Sequence, residues 1–356
     1  MSQSLSSRLI RKLIDWLIAF CGATLFLWFI TTQPVFINEY SSSTSSVDTQ
    51  ELKKHVQLLT GGYAPRTLDS GNLNNTADYI YRQFSSVGSP EYQTINTISQ
   101  QYYNVFLKLG PDTEELYVVG AHYDAEDDSI DTEGNASGVA TLIELARNLA
   151  ENSNKLKIGV VLVAYPLSLN QTDNMVNTGS YFHASSLKNN NKNVRLMVSL
   201  DSVGQLKLQN NEQVHPYKFM DFLYPQEDDT INLVGRLQDF SNIRELKKGF
   251  NSNSSLSLNT HNLLETFNKR QSSDHVSYWN QGYPAVLISD KSNYKGYGRV
   301  KIERSSVQLT DRLDYEKMAM LVNGLFQVVI QVETKDEDKT HLAQGSLYNR
   351  AKSLLY

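Results

Sequence analysis

The chain opens with a long apolar run, after which short apolar runs alternate with segments of helical periodicity. Apolar residues fill Trp16 to Ile30 almost without a break, and the flanking residues bring the run close to the roughly 20 residues that a helix needs to cross a membrane. Arg8, Arg11 and Lys12 precede it. A basic flank of this kind predicts a cytoplasmic N-terminus. The pattern therefore predicts a transmembrane signal anchor over 13–34, with the rest of the chain on the extracytoplasmic side.

Two other interpretations of this run stay open. A cleaved signal peptide would need a site with small residues after the run, and Thr31-Thr32-Gln33-Pro34 is a poor one. A buried amphipathic helix would need a polar face, whereas this run is apolar on all sides. The predicted organisation is a cytoplasmic N-terminus (1–12), the anchor (13–34), a linker rich in Ser and Thr (35–50), one large domain (51–335) and a C-terminal tail (336–356).

Within the large domain, the spacing of apolar residues predicts alternating helices and strands. Apolar positions three or four residues apart predict helices, and short continuous apolar runs predict strands that are buried on both faces. The predicted helices are 47–59, 72–84, 135–149, 181–187, 230–240 and 314–332. The predicted strands are 102–109, 116–123, 158–165, 194–200 and 285–289. This alternation predicts an α/β three-layer sandwich with a mostly parallel central sheet.

Three residues with metal-binding side chains end the predicted strands. His122 and Asp124 are two residues apart, so their side chains point to the same face of one strand, and Asp201 ends another strand. Ligands in such sheets bind beyond the carboxyl ends of the strands. The single cysteine, Cys21, lies in the apolar run, so any zinc in the domain would need histidine and carboxylate ligands. Each residue taken alone is also compatible with an ordinary polar strand end.

The charge balance argues against a nucleic-acid partner. The 33 Lys and Arg residues are outnumbered by 38 Asp and Glu residues, and the net charge is −5. The basic residues are also dispersed, whereas nucleic-acid binding needs them clustered on one face.

Seven motifs, in order along the chain, resemble the zinc-dependent aminopeptidases of metallopeptidase family twenty-eight. This family also includes glutaminyl cyclases, glutamate carboxypeptidases and non-catalytic members. The motifs are 64–66, 120–124, 135–140, 179–182, 200–204, 273–279 with 282–286, and 311–316. The resemblance covers about Leu52 to Val332. It implies the three-layer fold and, for active members, two zinc ions bridged by one aspartate.

The resemblance also implies roles for individual residues. His122 and Asp201 match ligands of one zinc, and Asp124 matches the residue that orients the imidazole. The bridging aspartate is expected at the position of Gly134. Glu133, one residue earlier, is a weak substitute because the shift changes where its side chain points.

The rest of the expected zinc site is also replaced. The glutamate pair that supplies the general base and a ligand of the second zinc falls on Ser168 and Leu169, which leaves Asp173 as the only candidate base. The last histidine ligand falls on Arg304, whose guanidinium stays protonated and cannot bind zinc. Our hypothesis is that Arg304 supplies a positive charge in place of the second zinc and pairs with Asp201 or Glu133.

Several other residues are expected around this site. His275 is not a usual zinc ligand of the family and is expected to be structural or to line the pocket. His183 is expected at the surface or at a helix cap. The expected pocket residues are Tyr123, Asp274, His275, Trp279, Tyr283 and Arg304.

These replacements favour one of three functional interpretations. The favoured one is a membrane-anchored peptidase-like domain without zinc aminopeptidase activity, which binds a peptide or protein ligand and holds zinc substoichiometrically or not at all. The second is an active metallo-exopeptidase or amidohydrolase with a reduced site of His122 and Asp201, helped by Glu133 and Asp173. The third is an interaction scaffold whose cleft is filled. Hydrolysis of this type needs a metal-activated water and a carboxylate base, and two ligands fall short of the usual three.

Overall fold

The computed structural model describes residues 5–35, 47–68, 70–98, 100–125, 134–168, 177–205, 230–263, 273–290 and 309–332. The α-helices within these ranges are α1 (Leu5–Thr32), α2 (Thr49–Gln57), α3 (Asn72–Ser85), α4 (Ala136–Glu151), α5 (Gly179–Asn189), α6 (Phe240–Asn251), α7 (Asp274–Asn280) and α8 (Tyr315–Ile330). The strands are β1 (Glu91–Asn96), β2 (Gln101–Leu109), β3 (Glu115–His122), β4 (Gly159–Tyr165), β5 (Asn193–Leu200), β6 (Thr230–Arg236), β7 (Ser257–Leu263) and β8 (Ala285–Ser289).

The strands form one sheet in the order β1-β2-β4-β3-β5-β8-β6-β7. The central strands β4, β3, β5 and β8 run parallel to one another. Strand β2 pairs antiparallel with β4, and β6 pairs antiparallel with β8. The carboxyl ends of β3, β5 and β8 therefore meet at one edge of the sheet, which is where ligands bind in folds of this kind.

Helices cover both faces of this sheet. Successive residues of a strand point to opposite faces, and on β3 Val119 belongs to the larger apolar cluster, which α2, α3, α4, α6 and α8 cover. Val118 belongs to the smaller cluster, which includes Ala184 of α5 and Trp279 of α7. The predicted three-layer α/β fold with a mostly parallel sheet is confirmed.

One predicted element is wrong, and two strands were not predicted. The segment predicted as a helix over 230–240 is strand β6 followed by a 3₁₀ turn (Leu237–Asp239), and the helix begins only at Phe240. Burial alternates along Thr230, Ile231, Asn232 and Leu233, as it does in a strand with unlike faces. Strands β1 and β7 lie at the two ends of the sheet, where polar residues interrupt the apolar pattern.

Helix α1 contains the apolar run at the start of the chain. The stretch Ile10–Thr32 is long and apolar enough to cross a membrane, and none of its most apolar window is buried against the protein. The predicted orientation across a membrane stays a prediction, as do the limits of the linker and of the C-terminal tail, most of which lie outside the described residues.

Candidate functional site

The site lies where the parallel strands end, and its first members come from β3 and β5. His122 is the last residue of β3, and its Nδ1 lies 3.3 Å from Oδ1 of Asp124 and 3.2 Å from the Asp124 carbonyl oxygen. Its Nε2 lies 3.8 Å from Oδ1 of Asp201, the residue after β5. The structure thus brings together the three residues that the strand ends predicted, with the imidazole between two carboxylates.

The charge of His122 follows from this arrangement. Burial alone would lower the pKa of His122, but hydrogen bonds to Asp124 and Asp201, together with their charges, raise it well above its ordinary value. The described groups therefore place a protonated imidazole between two carboxylates, and this ion cluster is almost fully buried.

Asn135 holds the ends of β3 and β5 together. It adopts a left-handed conformation with φ 59°, which asparagine tolerates better than most residues. Its Nδ2 donates to the carbonyls of His122 (3.1 Å) and Leu200 (2.8 Å), and its Oδ1 accepts from the amide of Ser202 (2.9 Å). One buried side chain thus fixes the spacing of the two strand ends that carry His122 and Asp201.

Arg66 forms a second brace at the same edge. The side chain is buried, and its Nη1 donates to the carbonyls of Tyr123 (2.9 Å) and Gly134 (3.1 Å). Its own carbonyl accepts from the amide of Ala125 (2.9 Å). The sequence motif at 64–66 marks this position, but a motif alone does not show that the guanidinium binds main-chain oxygens instead of a ligand.

Gly134 stands where the resemblance places the bridging aspartate. Its φ is +39°, and a Cβ built on it would lie 2.4 Å from Cβ of Ala125 and 3.1 Å from Nη2 of Arg66. A contact under 3.0 Å between two carbon atoms requires a shift of the backbone. The backbone at this position therefore excludes a side chain unless the loop moves.

A buried carboxylate, Asp274, lies at the start of α7 beside these residues. Burial raises its pKa to about 6, against the opposing effects of the His122 charge and of the nearby Ser168 and Ser180 hydroxyls. Ser168, which stands where the general base of the family is expected, donates to its Oδ1 at 2.8 Å. Its Oδ2 accepts no hydrogen bond from any described group.

Hydroxyl groups surround Asp274, and the sequence did not reveal this cluster. The hydroxyls of Ser180 and Ser277 are 2.9 Å apart, and each lies 3.2 Å from the hydroxyl of Thr178. These residues are distant in sequence and meet only because α5 packs against α7. Hydroxyl residues at 178, 180 and 277 are the only signal in the sequence.

Two further histidines of this region, His275 and His183, are also buried. His275 follows Asp274, is fully buried, and neither ring nitrogen has a hydrogen-bond partner among the described residues. Its ring packs edge-on against Trp279, with centroids 4.4 Å apart. His183 was expected at the surface, but it is buried and its Nδ1 lies 2.6 Å from the Tyr278 hydroxyl. Burial lowers the pKa of each histidine to about 3.

Three residues expected in the pocket lie in the core instead. The hydroxyl of Tyr123 donates to the carbonyl of Tyr103, Nε1 of Trp279 donates to the carbonyl of Ala285, and the hydroxyl of Tyr283 donates to the carbonyl of Lys192. All three rings are buried. Alternation explains Tyr123, because the residue after His122 must point to the opposite face of the sheet.

The remaining predicted site residues, Glu133, Leu169, Asp173 and Arg304, lie outside the described residues. Within the part of the chain that the structure describes, no three His, Cys, Asp or Glu residues are placed to hold a metal ion. His122 and Asp201 supply two ligands, whereas a catalytic zinc usually takes three from the protein. The described residues therefore do not fit the two-zinc arrangement, and no chemical step is assigned to a metal.

Comparison with known proteins gives a consistent picture. The family model described as Peptidase family M28 matches residues 104–301. The Escherichia coli protein YfbL, described as uncharacterized, is 34% identical over 304 residues, which span 83% of this chain and 91% of that protein.

Solved structures share the fold at low identity. LapB from Legionella pneumophila is 16% identical with a TM-score of 0.59, over 86% of this chain and 80% of LapB. A putative zinc-dependent exopeptidase from Bacteroides vulgatus is 16% identical with a TM-score of 0.55, over 84% of this chain and 100% of that one. The glutaminyl cyclase of Fimbriiglobus ruber is 16% identical with a TM-score of 0.54, over 83% of this chain and 98% of the cyclase.

Proposed function

Because this chain belongs to peptidase family M28, we propose that it is a membrane-anchored, extracytoplasmic member that lacks zinc aminopeptidase activity and binds a peptide at the old active site. The observation that carries this proposal is the backbone at Gly134. An aspartate there would have to bridge two zinc ions, yet the left-handed φ and the contact with Ala125 leave no room for its Cβ.

The surroundings of Ser168 support the same proposal. A hydroxyl does not accept a proton at neutral pH, so Ser168 cannot act as the base that activates water. It donates to Asp274 and thereby belongs to a hydrogen-bonded cluster of hydroxyls. The position expected for the base has become part of the packing between the loop after β4 and helix α7.

A peptide terminus fits the groups that remain. Asp201 is the most exposed of the clustered carboxylates, with 15% of its side chain exposed, and an accessible carboxylate oxygen attracts a peptide ammonium group through its charge. The unpartnered Oδ2 of Asp274 and the two nitrogens of His275 are buried polar atoms. Such atoms are costly unless a ligand or water satisfies them, and this favours a binding site over a filled scaffold.

Anchoring by α1 is the remaining part of the proposal. A helix of this length and composition spans a bilayer, and the basic residues before it favour a cytoplasmic N-terminus. The chain is then a single-pass membrane protein whose large domain lies outside the cytoplasm.

A reduced metallo-exopeptidase or amidohydrolase is the second candidate function, and one observation favours it. His122 and Asp201 remain side by side at 3.8 Å, as residues that share a metal must be. Such an enzyme would need a third ligand from the residues outside the described ranges.

Metal content and peptide binding separate the two candidates. We expect the detergent-solubilised full chain to hold less than one equivalent of zinc by mass spectrometry and to release no amino acid from a panel of aminoacyl nitroanilides. Stoichiometric zinc together with turnover that is lost in His122→Ala would overturn the proposal in favour of the enzyme.

Binding of short peptides tests the positive half of the proposal. We expect peptides with a free N-terminus to bind the wild-type chain better than their acetylated forms, and Asp201→Asn to abolish this preference. Asp112→Asn is the matched control, because the Asp112 carboxylate is 97% exposed and lies in another loop. Equal binding of free and acetylated peptides would contradict the role of Asp201, and no binding of either would favour a filled scaffold.

A further inference from the structure

The end of α1 is attached to the far edge of the sheet through hydrogen bonds to main-chain oxygens. The last carbonyl groups of a helix have no partner within the helix, and here three side chains of the domain donate to oxygens at or just beyond its end. The bonds run from Asn262 Nδ2 to Ile30 O (3.1 Å), from Lys247 Nζ to Thr32 O (2.9 Å) and from Arg244 Nη1 to Pro34 O (3.3 Å). These residues, with Gln33, form what we call the anchor junction.

Aromatic contacts add to the anchor junction. The rings of Phe29 and Phe240 have centroids 6.2 Å apart, and the guanidinium of Arg244 lies 5.7 Å from the centroid of Phe29. Since α6 and β7 supply the donors and Phe240 the ring, the helix end packs against the domain and is not merely joined to it through the linker.

The anchor junction carries positive charge that no described carboxylate pairs with. Arg244 and Lys247 are three residues apart on α6 and so lie on the same side of the helix. Glu245 does not neutralise them, because it pairs with Arg195 at 2.8 Å. Among the described residues, no carboxylate lies within ion-pair distance of Arg244 or Lys247. Burial, and then the charge of Arg244, lower the pKa of Lys247 to about 8.

A buried amide lies between the carbonyls that these cations bind. Gln33 is fully buried, and neither Nε2 nor Oε1 has a hydrogen-bond partner among the described residues. The Gln33 amide is thus a second unsatisfied group of the anchor junction. Its Nε2 can donate to a phosphate oxygen, and its Oε1 can accept from a hydroxyl. A buried cation favours a negatively charged ligand, and a buried amide without partners favours a polar one.

We propose that the anchor junction binds the headgroup of an anionic phospholipid, with Arg244 and Lys247 on the phosphate and Gln33 completing its hydrogen bonds. This inference rests on the proposed anchoring by α1. The end of a membrane-spanning helix lies at the level of the lipid phosphates, and guanidinium and ammonium groups bind phosphate through charge-assisted hydrogen bonds. Charge complementarity and position in the bilayer thus select the same occupant.

Lipid binding to the full chain in neutral detergent tests the proposal. A fluorescent phosphatidylglycerol is the probe, and we expect unlabelled phosphatidylglycerol to displace it at least tenfold better than phosphatidylcholine does. The double variant Arg244→Gln with Lys247→Gln should weaken probe binding at least tenfold, since each lost charge-assisted bond is of the size that changes affinity by this factor. Lys188→Gln, an exposed lysine on α5, should leave binding unchanged.

Three outcomes would overturn the proposal. In the first, phosphatidylcholine displaces the probe as well as phosphatidylglycerol does. In the second, the folded double variant binds the probe as tightly as the wild type. In the third, millimolar inorganic phosphate displaces the probe as completely as phosphatidylglycerol does, which would indicate a site for free anions. Circular dichroism checks whether the double variant is folded. If it is not, the single variant Arg244→Gln, at the half-buried position, replaces it and should weaken probe binding several-fold. Release of the wild-type chain by an alkaline wash of membranes would contradict anchoring by α1, whereas the detergent assay tests the junction independently.

Discussion

At the scale of single residues, Gly134 combines two constraints on a side chain, as Gly110 and Gly204 also do. It has both a left-handed φ and a neighbour in the way of a Cβ, whereas Gly71 has φ +70° in open space and Gly61 has neither constraint. We expect Gly134→Ala to lower the free energy of unfolding by about 2–4 kcal/mol, as the sum of backbone strain and overpacking. Thermal unfolding of the full chain in detergent measures this, and a loss of about 5–10 °C in Tm corresponds to it.

Gly71 and Gly61 serve as matched controls. Gly71→Ala should cost about 1–2 kcal/mol, because only the left-handed conformation is penalised. Gly61→Ala should change the free energy of unfolding by less than about 1 kcal/mol, because alanine there meets nothing and costs no strain. Suppose that Gly134→Ala lowers the free energy of unfolding no more than Gly71→Ala does. The contact with Ala125 would then contribute little, and crowding at position 134 would not exclude the bridging aspartate.

His183 makes the fold sensitive to acid. Burial, and then the charge of Lys108, lower the pKa of His183 to about 3 in the folded chain, while an unfolded histidine titrates near 6.5. Between these two values the unfolded state binds the proton that the folded state excludes, so this histidine reduces stability as the pH falls below about 6.5. The reduction is about 2 kcal/mol at pH 5.

The variant His183→Gln isolates this contribution. It should be less stable than the wild type at pH 7.5, because the bond to Tyr278 changes, but its free energy of unfolding should fall by about 2 kcal/mol less between pH 7.5 and pH 5. Urea unfolding at the two pH values gives the comparison. Parallel pH profiles for the two proteins would show that the pKa of His183 is not lowered in the folded chain.

At the scale of secondary-structure elements, Asn135 determines how β3 and β5 end. We expect Asn135→Ala to destabilise the chain by about 3 kcal/mol or more, because it leaves one amide and two carbonyls buried without this partner. Amide hydrogen exchange should rise in peptides that cover 119–125 and 198–205. Asn152→Ala, at the other end of α4, is the control and should change neither peptide. Faster exchange in only one of the two peptides would show that Asn135 does not couple the strand ends.

The central elements were predictable from sequence because burial on both faces leaves an unambiguous pattern. Strand β4 is buried at every position, and β8 has the predicted ends Ala285 and Ser289. Strand β6 was mistaken for a helix because Ile231, Leu233, Val234 and Leu237 also fit helical spacing. A strand near the end of a sheet is covered less evenly by other elements. Its neighbours in the tertiary structure then decide between the helical and the strand period.

The candidate site was predictable only where its residues follow directly after strands. The His122-x-Asp124 pair and Asp201 follow from strand ends, which the sequence reveals. The contact between Ser168 and Asp274 joins residues 106 positions apart, and the burial of His183 depends on Tyr278 of another helix. Such contacts arise from the packing of α5 and α7 on the sheet, for which the sequence contains no local signal.

At the scale of the whole molecule, the anchor junction and the candidate site lie at different strands of the sheet. The anchor junction involves β7, the last strand at one end, while His122 ends β3, four strands away in the sheet order. Neighbouring strands are about 4.8 Å apart, so the separation across the sheet is about 19 Å. A chain fixed to the membrane at β7 therefore leaves the strand ends at His122 and Asp201 away from the attachment point.

The proposed topology can be tested with single cysteines, because Cys21 is the only cysteine of the chain and lies within the predicted span. We expect Lys188→Cys, which is exposed on α5, to react with a small membrane-impermeant maleimide on intact bacterial cells that express the full chain. Ser6→Cys should react only after the cells are opened, because a basic flank predicts a cytoplasmic N-terminus. The wild type reports the background from Cys21.

Replacing Arg8, Arg11 and Lys12 by glutamine should reduce labelling at position 188, since these charges determine the orientation. Labelling at position 6 in intact cells, with position 188 protected, would show that the domain lies in the cytoplasm.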